Sequence, residues 1–337
     1  MKGALSCLSF WGAFCFAFAT CAFAQSAITG ITTSTSSTAP TVSEGYTFQN
    51  VTTSVTTFTT ASSTYAVTGL ANAAYVRRNT TAGNSNQSSV WYVQGSNFLG
   101  VHSNDYASLL LGNDINHGSD NTFSNDVGAA GGNIERLDFV TSAGMTSNAS
   151  MGFAVFDRGA VGVHDAFKIA VITGWDSVNN KPTSYGQLVS EPGGADYGTQ
   201  NVVADFNYTL FRYSNGDNLT ANTASTETGT QGVGGVVFSL AQLGITAGTT
   251  IYGYSLFGYD VTDGGNSANL LDWTGTSYYP TNTTGTTGSG GIDLLGLNGI
   301  TFSAIPEPST YMAFGTGLMI AAIAFRRWHR HRMMRNE

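Results

Sequence analysis

Apolar and polar side chains alternate along most of this chain. At 151–156 the bulky Met151, Phe153 and Val155 are separated by Gly152 and Ala154, and the run turns at Asp157, Arg158 and Gly159. At 167–171, Phe167, Ile169 and Val171 share one face, with Lys168 opposite. The longest run, 202–213, sets Val202, Ala204, Phe206, Tyr208 and Leu210 against Val203, Asp205, Asn207, Thr209 and Phe211. At 250–260, Tyr252, Tyr254 and Leu256 face one way, and Ile251, Ser255, Phe257 and Tyr259 the other. Shorter runs lie at 90–93, 107–111, 134–140 and 299–304. A period of two marks strands, and the Gly, Asn and Asp clusters between the runs are turn formers. The pattern predicts an all-β body, an antiparallel β-sandwich. One short helical turn is expected at 239–243, with Ser239 as N-cap and Gly244 as stop. No fixed-period repeat supports a solenoid or propeller.

The Ser/Thr-rich stretch 26–64 is harder to place. Such a tract can be a linker, yet Val42, Tyr46, Phe48, Val51, Val55 and Phe58 interrupt it. It reads as loose over 27–41 and strand-forming over 45–67, since threonine favours strands. Residues 275–291, rich in Gly and Thr, read as a long loop. The expected organisation is a leader at 1–24, a Ser/Thr-rich segment at 25–44, the β body at 45–304 and a C-terminal signal at 305–337.

Both ends carry apolar addresses. Lys2, the apolar stretch 5–18 and the small-x-small site Ala22-Phe23-Ala24 form a secretory leader, cut by signal peptidase to leave Gln25 first. Cys7, Cys15 and Cys21 all lie in this leader. The exported chain therefore has no disulfide and no thiolate chemistry, and must hold its fold by burial. At the other end, Pro306, Glu307 and Pro308 stop the preceding element, because proline cannot sit inside a helix. An uncharged run follows at 311–325, then Arg326, Arg327 and three more arginines. As a helix the run spans roughly 22 Å. Against a hydrocarbon core of about 30 Å this is short, but Trp328 and snorkelling arginines extend it. The arginines stay on the cytoplasmic side.

This ending resembles the PEP-CTERM sorting signal of Gram-negative bacteria: a Pro-Glu-Pro motif, a transmembrane helix and an arginine-rich tail. The resemblance implies export, recognition by a membrane-embedded exosortase, and delivery to the cell surface or the extracellular polymer of a biofilm. It says where the protein goes and nothing about the body.

Charge narrows the partners. From residue 25 to 307 there are seven basic and twenty acidic residues, a net charge near −13. Nucleic acid is excluded, because phosphate binding needs a basic face.

Candidate chemistry is sparse. The densest polar stretch, 112–126, alternates carboxylates and amides with glycine, as a calcium site does. Asp114, Asp120 and Asp126 are its candidate ligands, and calcium is the one cofactor these residues admit. The stretch superficially resembles calcium-binding nonapeptide repeats, but there is one copy and the period differs. A polar loop whose Asx residues cap their own turns is the alternative. Asp260 to Asn266 is a second, weaker calcium candidate. His102, His117 and His164 form no zinc-binding pair. A pair of carboxylates for glycosidic cleavage could come from Glu135, Asp138, Asp157, Asp165 and Asp176, with solvated loop acids as the alternative. Trp273, Tyr278 and Tyr279 flank the long Gly/Thr loop and are candidates for stacking on sugars; core packing is the competing reading.

The sequence thus points to an exported, non-catalytic surface or matrix component with a structural, adhesive or polysaccharide-binding role. A secreted enzyme acting on matrix glycans and a calcium-stabilised structural domain are the alternatives.

Overall fold

The computed structural model describes residues 26–37, 41–43, 46–48, 51–79, 89–94, 106–123, 134–159, 165–193, 203–213, 222–280, 291–305 and 318–328. The leader, Pro306, Glu307, Pro308 and Asp126 lie outside them. In chain order the strands are β1 (Ser26–Ser37), β2 (Thr41–Ser43), β3 (Tyr46–Phe48), β4 (Val51–Thr60), β5 (Thr64–Leu70), β6 (Ala73–Arg78), β7 (Ser89–Gln94), β8 (His117–Asp120) and β9 (Ile134–Thr146). They continue with β10 (Met151–Gly159), β11 (Phe167–Asp176), β12 (Lys181–Tyr185), β13 (Val189–Glu191), β14 (Val203–Tyr213), β15 (Asn222–Ser239), β16 (Thr250–Gly258) and β17 (Ile300–Ile305).

The expected antiparallel β body is present, but it is not an open two-sheet sandwich. β1, β4, β5, β17, β10 and β15 are hydrogen-bonded in that order, and Ser26 and Ala27 of β1 pair with Val237 and Val236 of β15. That seam closes a six-stranded barrel. Closure removes the sheet edges a sandwich would leave exposed. β14, β7 and β8 continue the sheet outward from β15. The second sheet, β12-β11-β16-β9-β6, curls into a half-barrel. The Tyr75 hydroxyl of β6 donates to Asn180 Oδ1, in the turn between β11 and β12, at 3.1 Å.

Strand alternation sorts the apolar side chains into three layers. Phe58, Tyr65, Phe156 and Phe302 fill the barrel with Ile28, Val55, Ala154, Val233 and Val237. The Tyr65 and Phe302 rings lie 4.7 Å apart, edge to face. The opposite faces of β10 and β15, through Phe153, Val155, Val236 and Phe238, pack against Leu137, Phe139, Ile169 and Leu256 of the half-barrel. The half-barrel's other face holds Val140, Ala170, Ile172 and Phe257, covered by Val261, Leu270 and Tyr279. Both faces of this sheet are buried, which its near-continuous apolar runs reflect. Ile115, Leu295 and Leu297 join the barrel interior, held by Ile115 N–H to the Thr53 carbonyl at 3.0 Å and Leu295 N–H to the Phe156 carbonyl at 3.3 Å. They plug the end opposite Ile305.

Four local expectations change. Residues 26–37, read as mostly loose, form the strand that closes the barrel; Ile28 is its fully buried anchor. Residues 107–110 of the run expected at 107–111 belong to a 3-10 turn at Tyr106–Leu110, where Tyr106, Ala107, Leu109 and Leu110 are buried. Asp157 and Arg158 lie inside β10 rather than in a turn. In β16, Ile251 shares a core with Tyr254 and Leu256, while Tyr252 packs on the other face. A bulge at Gly253 reverses the parity. Gly253 has φ +120°, and a Cβ there would stand 2.0 Å from the Phe139 carbonyl oxygen. The turn expected at 239–243 is present: Ser239 Oγ accepts the Gln242 N–H at 3.2 Å and Gly244 has φ +72°.

Residues 318–328 are helical, with Leu318, Met319, Ile320, Ile323, Phe325 and Trp328 exposed. Among the described residues no helix is long and apolar enough to cross a membrane.

Candidate functional site

Two buried charge clusters stand out in the described body. The first sits on the outer face of the half-barrel. Arg136 and Asp138 alternate along β9 with Leu137 and Phe139, so period two sends them to the same face. Both are fully buried. Arg136 Nε donates to Asp138 Oδ1 at 2.7 Å, and Arg77 Nε donates to Asp138 Oδ2 at 2.7 Å. Ser255 Oγ donates to Asp138 Oδ1 at 2.7 Å. Burial alone would raise the Asp138 carboxyl, but Arg136 and then Arg77 outweigh it and hold it below its ordinary value. Arg136 Nη1 reaches the Leu270 carbonyl at 2.6 Å, and the Tyr279 hydroxyl donates to the same carbonyl at 2.6 Å. The Arg136 guanidinium lies 4.8 Å from the Trp273 ring centroid and 5.7 Å from that of Tyr185. Arg77 lies 5.1 Å from the same Trp273 ring. This network fastens the 259–280 loop over the sheet.

The three aromatics proposed for sugar stacking fall here. Tyr279 is fully buried. Trp273 is half-buried among the two guanidinium groups and donates Nε1–H to the Arg78 carbonyl at 3.3 Å. Tyr278 is half-buried against the same apolar cluster. The structure brings the three together, but Tyr279 offers no surface.

The second cluster lies at the plugged end of the barrel. Arg158 is fully buried, with Nη2 at 2.6 Å from Asp120 Oδ1 and 3.5 Å from Asp293 Oδ2. Asp157 Oδ1 accepts the Asp293 N–H at 2.8 Å, and Oδ2 accepts the Asp165 N–H at 3.2 Å. Asp293 is pushed well above the ordinary carboxylate value by burial, then by the neighbouring charges of Asp120 and Asp157. Asp120 and the unforeseen Asp293 therefore flank one arginine; of the candidate acids Asp157 and Asp165, Asp157 stands beside Asp293, and Asp165 meets Asp157 through its backbone N–H. Glu135 is buried elsewhere, and Asp176 caps its own hairpin by accepting the Val178 and Asn179 N–H groups at 2.9 and 3.1 Å.

Asp114 and Asp120, the described calcium candidates, have different protein partners. Asp114 Oδ1 accepts N–H groups from Asn116 at 2.8 Å and Thr53 at 3.3 Å, and Oδ2 lies 3.3 Å from His117 Nδ1. Among the described residues no group of three His, Cys, Asp or Glu side chains could hold a metal ion.

The missed residues left a faint trace. Arg136 precedes Leu137 and Asp293 lies between Ile292 and Leu294, apolar neighbours that signal a charge buried and paired rather than solvated, whereas Arg158, between Asp157 and Gly159, carries no such signal.

The last feature is continuity. Ala304 and Ile305 pair with Tyr65 and Thr64 across the barrel wall, and the chain runs on from there into Pro306. No curated protein and no solved structure matches the chain. Residues 304–327 match the PEP-CTERM protein-sorting motif, which implies an exported protein sorted to the cell surface by an exosortase.

Proposed function

We propose that the body is a non-catalytic module, displayed at the cell surface or in the extracellular matrix, with a structural, adhesive or polysaccharide-binding role. The observation carrying this reading is the direct run of the last barrel strand into the sorting motif: the payload is the barrel itself, and no described linker separates the two. The charge clusters support it further, since Arg136 and Asp138 neutralise each other while clamping a loop. In this reading 311–325 is a membrane anchor before processing, and polysaccharide is the candidate ligand.

One observation favours a glycan-cleaving enzyme as the second reading. Asp293 holds its proton above the ordinary range beside Asp157, the pairing of acid and carboxylate that glycosidic cleavage uses. The test is to incubate the purified full chain with the extracellular polysaccharide of the producing cells. Co-sedimentation with the polymer and no release of reducing ends is the expected result. Release that disappears in Asp293→Asn would establish the enzyme instead.

A further inference from the structure

The ends of the described body converge on one rim of the barrel. Ile305 pairs with Thr64, Ser26 pairs with Val237, and the Ala304 N–H bonds to the Ser150 carbonyl at 3.3 Å. Among the described residues three connections lie at this rim: 61–63 between β4 and β5, 147–150 between β9 and β10, and 240–249 between β15 and β16. They are stitched together, with the Ser147 N–H on the Thr249 carbonyl at 2.9 Å and the Leu240 N–H on the Met151 carbonyl at 3.3 Å.

None of these three connections contains Asp, Glu, Lys or Arg. Their exposed residues, among them Ala61, Ser62, Asn148, Ala149, Thr246 and Ala247, are all uncharged. The acids of the barrel gather at the opposite, plugged end, at Asp114, Asp120, Asp157 and Asp293. In a body of charge near −13 these three connections are uncharged, and the sorting motif, which carries Glu307, leaves beside them.

Length completes the argument. Five residues, 306–310, separate Ile305 from the uncharged run. Fully extended, they reach roughly 17 Å. With 311–325 in the bilayer, the rim cannot stand further than that from the apolar core, which, past a headgroup layer of about 5–7 Å, leaves at most about 10 Å between rim and headgroups.

We propose that this rim is a membrane-apposed surface: the barrel stands on the bilayer with Ser62, Asn148 and Ala247 toward the lipid headgroups and its acidic end outward. The proposal rests on 311–325 being a membrane anchor. Neutrality at the rim matters because an acidic face there would be repelled by anionic lipid within a Debye length of about 8 Å.

The chain beyond Cys21 lacks cysteine, so a single thiol reports its position cleanly. The full chain with Cys7, Cys15 and Cys21 replaced by serine is labelled with a fluorophore at Ser62→Cys or, at the far end, Thr262→Cys. It is reconstituted in phosphatidylethanolamine–phosphatidylglycerol vesicles carrying a headgroup nitroxide. Several-fold stronger quenching at 62 than at 262 is expected. A flexible Gly-Ser insert of about twenty residues between Ile305 and Pro306 should abolish the difference. The triple variant Ser62→Glu, Asn148→Glu, Ala247→Glu should weaken quenching in these vesicles but not in phosphatidylcholine. Equal quenching at the two sites in vesicle-bound chain overturns the proposal while leaving the anchor intact. Failure of the chain to enter vesicles overturns both. Shielding of position 62 only when exosortase is present would replace the lipid surface with the enzyme.

Discussion

Arg136 and Asp138, two residues apart on one strand, form an ion pair at 2.7 Å with neither side chain exposed. Such a pair is stabilising only while both partners remain. Asp138→Asn would leave Arg136 and Arg77 without their anion beneath the 259–280 loop. A loss of about 3–5 kcal/mol is expected, read as a lowered urea midpoint of the full chain. Arg77→Ala should cost less, because its side chain is 13% exposed and Arg136 remains to neutralise Asp138.

The bulge in β16 makes a contrast between two glycines. Gly253 and Gly248 both have positive φ, at +120° and +90°. Nothing lies within 4 Å of a Cβ at Gly248, whereas one at Gly253 would meet the Phe139 carbonyl. Gly248→Ala should cost on the order of 1 kcal/mol of backbone strain. Gly253→Ala should cost clearly more, because the neighbouring strand must move. Equal thermal midpoints for the two variants would contradict the placement of the bulge.

Inside the barrel, Phe302 packs on Phe58 at 5.2 Å and Tyr65 at 4.7 Å. Phe302→Ala should destabilise by about 3–5 kcal/mol through lost contacts and a cavity. Because β17 bridges β5 and β10, native-state hydrogen exchange should accelerate across all three strands.

The two clusters respond oppositely to acid. The Asp138 carboxyl is held below its ordinary value near 3.8, so its contribution is full above that pH and fades as pH falls further. Asp293 is raised above 3.8, so the folded chain binds that proton more tightly than the unfolded one, and stability declines as pH rises through the folded value. Asp293→Asn, which imitates the protonated acid, should melt higher than the parent at pH 7. The difference should shrink toward pH 4. Calorimetry at a series of pH values checks both arms; a variant less stable at pH 7 would refute the placement of Asp293 among Asp120, Asp157 and Arg158.

How much of this was legible beforehand varies by feature. Alternation located 151–156, 167–171 and 250–260 as strands, because side-chain direction in a strand is a local property. The Ser/Thr tract concealed β1: the exposed stretch beyond Ile31 looks like a linker, and only the pairing of Ser26 and Ala27 with β15 makes it a barrel strand. The Gly253 bulge was illegible because parity slips when the partner strand, not the sequence, dictates an extra residue.

By itself the sequence determined the β class, the absence of cysteine beyond Cys21, the acidic balance, the Pro-Glu-Pro motif and the uncharged run that follows it. These depend on composition, local periodicity and order along the chain. Tertiary structure alone decided that the sheet closes into a barrel, that Arg136 and Arg158 lie in the interior, and that Ser26 and Ile305 share one rim. Those features depend on which distant strands pair and what covers their faces, and a period of two reports that a side chain points away from its neighbours without reporting what it meets.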